Sequence, residues 1–237
     1  MIKSVFFDLD GTLLPMDMEE FIKSYFTHMM KKMVKHGYEA ETLPECIWAG
    51  TEAMVKNDGS KTNEEVFWER FSKVCGRDCK KDEPVWEDFY RNEFLKTKEA
   101  CGFNPLAKKT VELCKELDLD TVLATNPLFP RIATKNRITF TGMTLDDFSY
   151  TSVYENSHYA KPNPAYYTEI LEKLGKKPEE CLMVGNDVKE DMVASIVNMK
   201  VFLVTDCLLN PEGEDISKYP NGTFEDLMQY IRELAGK

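Results

Sequence analysis

Short runs of apolar residues recur along the chain, and each is followed by a polar residue or a glycine. They cover residues 4–7, 121–124, 182–184 and 201–204, with apolar residues at helical spacing between them. Runs of this length without alternating polar positions are typical of strands that are covered on both faces. The pattern therefore predicts an α/β fold built on a parallel, doubly wound sheet.

The helices that would cover this sheet are visible in the same pattern. Pro162 and Pro164 mark the beginning of one of them, and Gly175 marks its end. Helices are expected at about residues 105–117, 128–138, 164–174, 189–197 and 224–234.

Residues 16–100 interrupt the alternation, because they contain apolar residues at helical spacing and no convincing strand. Phe21, Tyr25 and Met29 fall on one stripe, and a second stripe holds Trp86, Phe89, Tyr90 and Phe94. Such stripes favour packing inside a small helical bundle over the lining of a pocket. We predict a core domain of residues 1–15 and 101–237 and a smaller all-helical domain of residues 16–100, with chain crossings near Pro15 and Gly102.

Composition narrows the class of protein. A hydrophobic fraction of 43% with 11% aromatic residues is that of an ordinary globular protein. A net charge of −11 opposes the phosphate contacts that dominate nucleic-acid binding, so nucleic acid is not an expected partner. Because the surface is acidic, any phosphate site must be a local arrangement of cations and backbone N–H groups.

The chain also carries signals about its location. It contains no run of about 18 apolar residues, and its first residues meet an acid too early for a signal peptide. We therefore expect a cytoplasmic protein with no membrane partner. Its seven cysteines show no regular pairing, and Cys75 and Cys79 lack the further ligands of a zinc site, so all are expected to be reduced. The sequence does not determine the oligomeric state, but its apolar content does not indicate an obligate partner, so a monomer or a weak homodimer is expected.

The most informative segment is VFFDLDGTLL at residues 5–14. A buried strand delivers Asp8 at its carboxyl end, where open α/β sheets bind their ligands. A carboxylate there can attack phosphorus and form an acyl phosphate, while Asp10 can protonate a leaving oxygen and later deprotonate water. Gly11 allows the sharp turn that follows. The same residues also fit a strand that ends in an Asx-type turn.

Two further polar positions follow later apolar runs. Thr125 and Asn126 come at the end of a predicted strand, where a hydroxyl and a neighbouring backbone N–H can hold a phosphoryl oxygen. Lys161, just before a helix, supplies a fixed positive charge that offsets repulsion between a phosphoryl group and carboxylates. Taken singly, an ordinary turn and a surface lysine explain them as well. With Gly11, they are the predicted phosphate-binding residues.

An acidic cluster follows the run 182–184, in the sequence GNDVKED at residues 185–191. Its oxygens can complete a Mg²⁺ shell with Asp8, since this ion prefers hard oxygen ligands and retained waters. Asp187 is the preferred ligand because a carboxylate holds Mg²⁺ better than an amide does. Asn186 is the alternative ligand, and Asp191 has a supporting role. A helix start that is rich in acids is the other interpretation of this cluster.

Together these four segments resemble the signature motifs of the haloacid dehalogenase superfamily, in the same order along the chain. They span residues 5–191, so the resemblance covers the whole core domain. It implies a Rossmann-like sheet of strand order 5-4-1-2-3, and the position of the helical insert is similar to that of the family's helical cap. The acidic segment departs from the commonest form, Gly-Asp-x4-Asp, which leaves both Asn186 and Asp187 as ligand candidates.

The resemblance also implies an activity. Dehalogenases lack the second acid of the first motif, so Asp10 favours a Mg²⁺-dependent phosphatase of small phosphorylated metabolites. In this interpretation Asp8 is the nucleophile, Asp10 is the general acid and base, and Lys161 and Thr125 stabilise the transferring group. Mg²⁺ binds Asp8, the Asp10 carbonyl and Asp187.

Two alternatives use the same scaffold. A phosphomutase or phosphotransferase would need the same motifs, and a non-catalytic phospho-ligand-binding protein is the less favoured possibility. In a phosphatase and in a phosphotransferase alike, the helical cap is expected to close over a small pocket. Its specificity residues are expected near residues 16–26 or in a turn at residues 48–51.

Overall fold

A computed structural model describes residues 1–237, and a single sheet of six parallel strands lies at its centre. The strands are β1 (Ser4–Phe7), β2 (Asp120–Leu123), β3 (Tyr150–Thr151), β4 (Cys181–Gly185), β5 (Lys200–Val204) and β6 (Asn221–Gly222). Their order is β3-β2-β1-β4-β5-β6. This confirms the predicted α/β fold, and the first five strands have the order that the family resemblance implies.

The sheet is covered on both faces. On one face, Val5 and Phe7 of β1 belong to a cluster of 22 buried residues that includes side chains of α5 (Pro105–Glu116) and α8 (Phe224–Ala235). On the other face, Phe6 packs in a cluster of 15 buried residues with α7 (Pro164–Leu174). Since successive side chains of a strand point to opposite faces, a strand buried on both sides requires an uninterrupted apolar run.

Residues 16–100, called the helical insert below, contribute no strand to the sheet. Their α-helices are α1 (Met18–Met33), α2 (Leu43–Val55), α3 (Asn63–Cys75) and α4 (Glu83–Arg91), and a 3-10 helix follows at Glu93–Ala100. They enclose a separate cluster of 16 buried residues, all from the insert except Ala133. The chain leaves and re-enters the core at adjacent points, because the N–H of Gly102 donates to the carbonyl of Pro15 at 2.7 Å.

The insert is also hydrogen-bonded to the core at the start of α3. Asn63 is fully buried, and its side-chain amide donates to the carbonyls of Pro127 (3.3 Å) and Tyr159 (3.2 Å). Its backbone N–H donates to the carbonyl of Ser157 at 2.8 Å. Pro127 follows β2, and Ser157 and Tyr159 follow β3. These contacts therefore hold the insert above the loops at the carboxyl ends of the strands.

Several predicted boundaries differ from the structure. The helix expected from residue 128 begins after Pro130, as α6 (Arg131–Phe140), because a residue before proline disfavours the helical conformation. In place of the helix expected at 189–197 there is a 3-10 helix at Met192–Val197, preceded by a turn. The turn expected at residues 48–51 is wrong, since these residues lie inside α2. Strands β3 and β6 have two residues each and leave no periodic signal.

None of the helices combines the length and the apolar character that crossing a membrane requires.

Candidate active site

Three neighbouring strands end at the same edge of the sheet and bring the sequence motifs together. Phe7 of β1 lies opposite Leu123 of β2 and Val184 of β4. The N–H of Asp8 donates to the carbonyl of Val184 at 2.9 Å, so Asp8 directly follows the last paired residue of β1. One cavity at this edge is lined by most of the predicted site residues, namely Asp8, Asp10, Thr125, Asn126, Asn186, Asp187 and Asp191.

Lys161 lies behind the cavity wall, between two carboxylates that line the cavity, and is not itself a lining residue. Its Nζ is 2.8 Å from Oδ1 of Asp8 and 2.6 Å from Oδ1 of Asp191, and its side chain is fully buried. Burial alone would lower the pKa of Lys161, but the charges of Asp191 and Asp8 outweigh it and raise that pKa well above its usual value. Lys161 is therefore a permanent positive charge in contact with Asp8.

Thr125 and Asn126 are held by contacts with later parts of the chain. The carbonyl of Thr125 accepts hydrogen bonds from the hydroxyls of Ser152 (2.6 Å) and Tyr166 (2.9 Å). Oδ1 of Asn126 accepts the backbone N–H of Lys161 at 3.2 Å. The segment after β2 is thus fastened to the segment that carries Lys161, and both residues line the cavity beside Asp8.

Gly11 makes room for Asn186. The φ angle of Gly11 is +84°, and a Cβ atom at this position would come within 2.4 Å of Nδ2 of Asn186. Oδ1 of Asn186 accepts a hydrogen bond from the Thr12 hydroxyl at 2.8 Å, and the same hydroxyl lies 3.3 Å from Oδ2 of Asp8. Nδ2 of Asn186 donates to the carbonyl of Cys207 at 2.7 Å. The amide oxygen of Asn186 is therefore fixed on the side of Asp8.

Asp187 and Asp191 occupy different positions in the acidic turn. Oδ1 of Asp187 accepts the backbone N–H groups of Lys189 (2.8 Å) and Glu190 (2.9 Å), and Asp191 accepts the N–H of Asp187 at 3.0 Å. Asp191 also passes close to Gly185, where a Cβ atom would lie 2.0 Å from its Oδ2. Burial raises the pKa of Asp191 to about 7 against the opposing effect of Lys161.

Asp10 has a partner that the sequence analysis missed. Its Oδ2 is paired with Nη1 of Arg137, which is fully buried in α6, while its Oδ1 is buried without a hydrogen-bond partner. The guanidinium also lies 4.4 Å from the ring centre of Phe129. Burial raises the pKa of Asp10 although the charge of Arg137 opposes this. A raised pKa favours the protonated form that a general acid needs.

A sequence signal for Arg137 did exist. Ala133, Arg137 and Phe140 share one face of the helical pattern, and a charged residue on an otherwise apolar face requires a buried partner. The sequence does not say which carboxylate that partner is. Glu190 was missed as well: it lines the cavity, accepts a hydrogen bond from Asn126 at 2.9 Å, and burial raises its pKa to about 8.

The cavity extends from these carboxylates to the helical insert. Its volume is about 930 Å³, and all four α-helices of the insert contribute to its wall. Both segments in which specificity residues are expected, residues 16–26 and 48–51, contribute to the cavity wall. Their lining residues are Met18, Phe21, Ile22, Tyr25 and Phe26 of α1, and Trp48 and Thr51 of α2. The stripe that holds Phe21 and Tyr25 therefore serves both core packing and the cavity wall, since both residues belong to the buried cluster of the insert and line the cavity.

The oxygen atoms of the candidate ligands suit a magnesium ion chemically. They belong to the side chains of Asp8, Asn186 and Asp187, which line one cavity, and to the backbone carbonyl of Asp10, on which no backbone hydrogen bond ends. No group of three or more His, Cys, Asp or Glu side chains is placed to hold a metal by itself. A shell at this place would therefore combine carboxylates with neutral oxygens and waters, which is the kind of set that Mg²⁺ accepts.

Comparison with known proteins agrees with this architecture. The family model of the haloacid dehalogenase-like hydrolases matches residues 2–195. The putative phosphatase YhcW of Bacillus subtilis (strain 168) is 24% identical over 204 residues, which are 86% of this chain and 84% of that protein. A glyceraldehyde 3-phosphate phosphatase of Pyrococcus furiosus is 26% identical over 208 residues, covering 84% of this chain and 79% of its own length.

Among solved structures, a 2-haloacid dehalogenase of Pseudomonas syringae pv. Tomato DC3000 superposes with a TM-score of 0.63 at 18% identity, over 98% of this chain and 99% of that one. At this identity the match establishes the fold alone. The family model covers most of the chain, and the chain belongs to the haloacid dehalogenase-like hydrolase family.

Proposed function

We propose that this protein is a Mg²⁺-dependent phosphatase that hydrolyses small phosphomonoester metabolites through an aspartyl phosphate at Asp8. The observation that carries the proposal is the contact between the buried Lys161 and Asp8, which lines the same cavity as Asp10. A nucleophile and a second acid in one cavity, with a fixed positive charge against the nucleophile, are what phosphoryl transfer requires. The names of the two relatives, a putative phosphatase and a glyceraldehyde 3-phosphate phosphatase, support a phosphate ester as the substrate.

Asp10 decides between the two chemistries that this fold carries. A dehalogenase expels a halide, which needs no proton, whereas an alkoxide leaving group does. Asp10 lies in the cavity with one carboxyl oxygen free of hydrogen bonds, and burial raises its pKa. These features support an acid that protonates an oxygen, and they favour a phosphatase although a dehalogenase shares the fold.

In the proposed reaction, a carboxylate oxygen of Asp8 attacks phosphorus, and the bond from phosphorus to the ester oxygen breaks as Asp10 donates its proton to that oxygen. A water molecule then attacks the aspartyl phosphate. Asp10 takes the proton of this water, the bond between phosphorus and the Asp8 oxygen breaks, and inorganic phosphate leaves. Lys161 and the Thr125 segment offset the negative charge that moves between these groups.

Asp8, the Asp10 carbonyl and Asp187 would hold Mg²⁺, with Asn186 as a further oxygen donor and Asp191 in support. When bound, Mg²⁺ neutralises charge on the phosphoryl oxygens beside Asp8. The two candidates from the acidic turn can be separated by measuring Mg²⁺ binding calorimetrically in Asp187→Ala and Asn186→Ala. A larger loss of affinity in Asp187→Ala supports the carboxylate as the ligand, and a larger loss in Asn186→Ala transfers that role to the amide.

The nucleophile is tested by replacing Asp8 with Asn and measuring hydrolysis of 4-nitrophenyl phosphate with and without Mg²⁺. We expect a loss of at least about 10³-fold, because the amide cannot form the acyl phosphate. The matched control is Asp146→Asn, an exposed aspartate outside the cavity, which should retain full activity. Substantial hydrolysis by Asp8→Asn would contradict the assignment. Reduction with borohydride during turnover should convert Asp8, and no other aspartate, to homoserine.

The helical insert is proposed to act as a cap domain over this site. Its own buried cluster, the adjacent crossings at Pro15 and Gly102 and its share of the cavity wall support that role. We also propose that the protein acts in the cytoplasm, an expectation that agrees with seven cysteines that are all free.

A further inference from the structure

The wall of the cavity contains many aromatic rings. The chain has three tryptophans, and all of them, Trp48, Trp68 and Trp86, line the cavity that begins at Asp8 and Asp10. Trp68 and Trp86 are buried and pack edge to face with each other, at 6.4 Å between ring centres. The aromatic surface of the cavity is therefore continuous with the packed core of the insert.

Trp48 differs from the other two because it is 51% exposed. Its ring stacks on Phe26, with centres 5.7 Å apart and planes inclined by 23°. This stack leaves one large aromatic surface without a protein partner, in the wall of a cavity that leads to the proposed nucleophile. An exposed apolar surface in such a place indicates a ligand that covers it.

A second ring in the same wall, that of Phe67, packs directly against a glycine. Phe67 of α3 lies so close to Gly50 of α2 that a Cβ atom at position 50 would be 2.7 Å from two atoms of the ring. Phe67 also stacks on Phe71, with ring centres 5.3 Å apart and an interplanar angle of 14°. The two helices that carry Trp48 and Phe67 thus present fixed rings to the cavity.

We propose that the cavity binds a phosphomonoester whose alcohol carries a planar heteroaromatic ring, and that the ring packs against Trp48. This inference rests on the proposed phosphatase function and adds the class of leaving group. A volume of about 930 Å³ is far more than a three-carbon phosphate fills, and it lies within the range of about 300–1,000 Å³ used for drug-sized ligands. Planar rings gain affinity by stacking on aromatic side chains without needing a specific hydrogen-bond pattern.

The first test compares esters that share the phosphate and differ in the alcohol. Adenosine 5′-monophosphate and pyridoxal 5′-phosphate represent the ring-bearing class, and glycerol 3-phosphate and phosphoglycolate represent the aliphatic class. The wild-type protein should hydrolyse at least one ring-bearing ester with a kcat/KM at least tenfold above both aliphatic esters. A preference for the aliphatic esters would overturn the proposal and leave the phosphatase function intact.

The second test assigns the preference to Trp48. In Trp48→Ala, kcat/KM for the preferred ring-bearing ester should fall about tenfold, mainly through KM, while the values for aliphatic esters change less than twofold. Trp48→Phe should recover most of the loss. The matched control is Phe103→Ala, which removes another exposed ring, 63% exposed and outside the cavity, and should change neither class. An equal loss for both classes in Trp48→Ala would count against the proposal.

A third measurement does not depend on turnover. Because every tryptophan lines the cavity, adenosine without its phosphate should change the intrinsic fluorescence of the wild-type protein, and the change should shrink in Trp48→Ala. Binding of adenosine without hydrolysis of any ester would support the ring site and overturn the proposed phosphatase function. Absence of both the ring preference and the fluorescence change would overturn the ring site alone.

Discussion

The sheet core and the helical insert bury different kinds of side chain. Nine of the 16 buried residues in the cluster of the insert are aromatic, against five of 22 and three of 15 in the clusters on the two faces of the sheet. The charged residues that are buried all belong to the core, namely Asp8, Arg137, Lys161 and Asp191. The only buried polar residues of the insert are Asn57, Asn63 and Thr97.

This difference separates two tasks. Buried charges need partners at fixed distances, and adjacent parallel strands hold their carboxyl ends in a register that provides them. Aromatic rings on helices offer broad surfaces that accept a planar or apolar group without exact partners. In this interpretation the core performs the proposed chemistry, and the insert selects what reaches it. The following substitutions test this division.

The largest effect is expected for Lys161→Ala. The substitution leaves Asp8 and Asp191 buried without the charge between them, so activity should fall by at least about 10³-fold and unfolding free energy by about 3–5 kcal/mol. Hydrolysis of 4-nitrophenyl phosphate and urea unfolding measure the two quantities.

The insert offers a matched lysine for this test. Lys32 also pairs with two carboxylates, those of Asp88 and Glu93, but its side chain remains 16% exposed and Asp88 is largely exposed. Lys32→Ala should lower the unfolding free energy by less than about 1 kcal/mol and leave activity unchanged. Equal effects at the two lysines would contradict the separation of core and insert.

The next largest effect is expected for Arg137→Met. This substitution removes the charged partner of Asp10 and replaces it with an unbranched apolar side chain. We expect kcat to fall about 10²-fold, because Asp10 loses the contact that positions its carboxyl group. Arg137 does not line the cavity, so KM should change little.

A double-substitution cycle separates this positioning role from simple destabilisation. In an Asp10→Asn background, Arg137→Met should lower kcat only slightly further, because the group that Arg137 positions is already gone. A full additional 10²-fold loss in that background would show that Arg137 acts on activity by another route.

A smaller effect is expected for Gly11→Ala, and Gly37 in the insert provides the comparison. Both glycines have positive φ angles, +84° and +87°, but a Cβ atom at Gly11 would strike Asn186, whereas nothing lies within 4 Å at Gly37. Because of backbone strain, each alanine should lower the unfolding free energy by about 1–2 kcal/mol. Only Gly11→Ala should also weaken Mg²⁺ binding, by about tenfold, because Asn186 must move. Unchanged calorimetric Mg²⁺ affinity in Gly11→Ala would exclude this coupling.

The smallest effect is expected where the two regions meet. Asn63→Ala removes the side-chain hydrogen bonds to the carbonyls of Pro127 and Tyr159. This loss should raise KM about threefold and lower the unfolding free energy by about 1–3 kcal/mol. Asn92→Ala is the control, because the side chain of Asn92 bonds only to Asp88 of the same insert. Thermal unfolding and steady-state kinetics should distinguish the two; identical KM values would show that these bonds do not position the insert.

Much of this arrangement could be predicted from local patterns. The strand that precedes Asp8 was predicted with its observed bounds, and so was the helix that begins at Pro164, because each has a clear apolar period and a clear end signal. The break at residues 16–100 was visible because helical spacing replaced the strand pattern. The grouping of Asp8, Thr125 and the acidic turn followed from their places after parallel strands.

Other features depended on contacts between residues far apart in the chain. The pair of Asp10 and Arg137 joins positions 127 residues apart, and the bonds of Asn63 join the insert to loops after β2 and β3. The placement of Trp48 inside α2, rather than in a turn, follows from the packing of α2 on α3, for which Gly50 leaves room. No local pattern encodes such distances.

The sequence by itself determined the fold class, the family resemblance and the order of the candidate acids, because strand periodicity and short motifs are local properties. Tertiary structure alone decided that Arg137 pairs with Asp10, that Asn186 lies under Gly11 on the side of Asp8, and that the three tryptophans converge on one cavity. The physical reason is that burial and ion pairing depend on which surfaces pack together, and packing is a property of the whole chain.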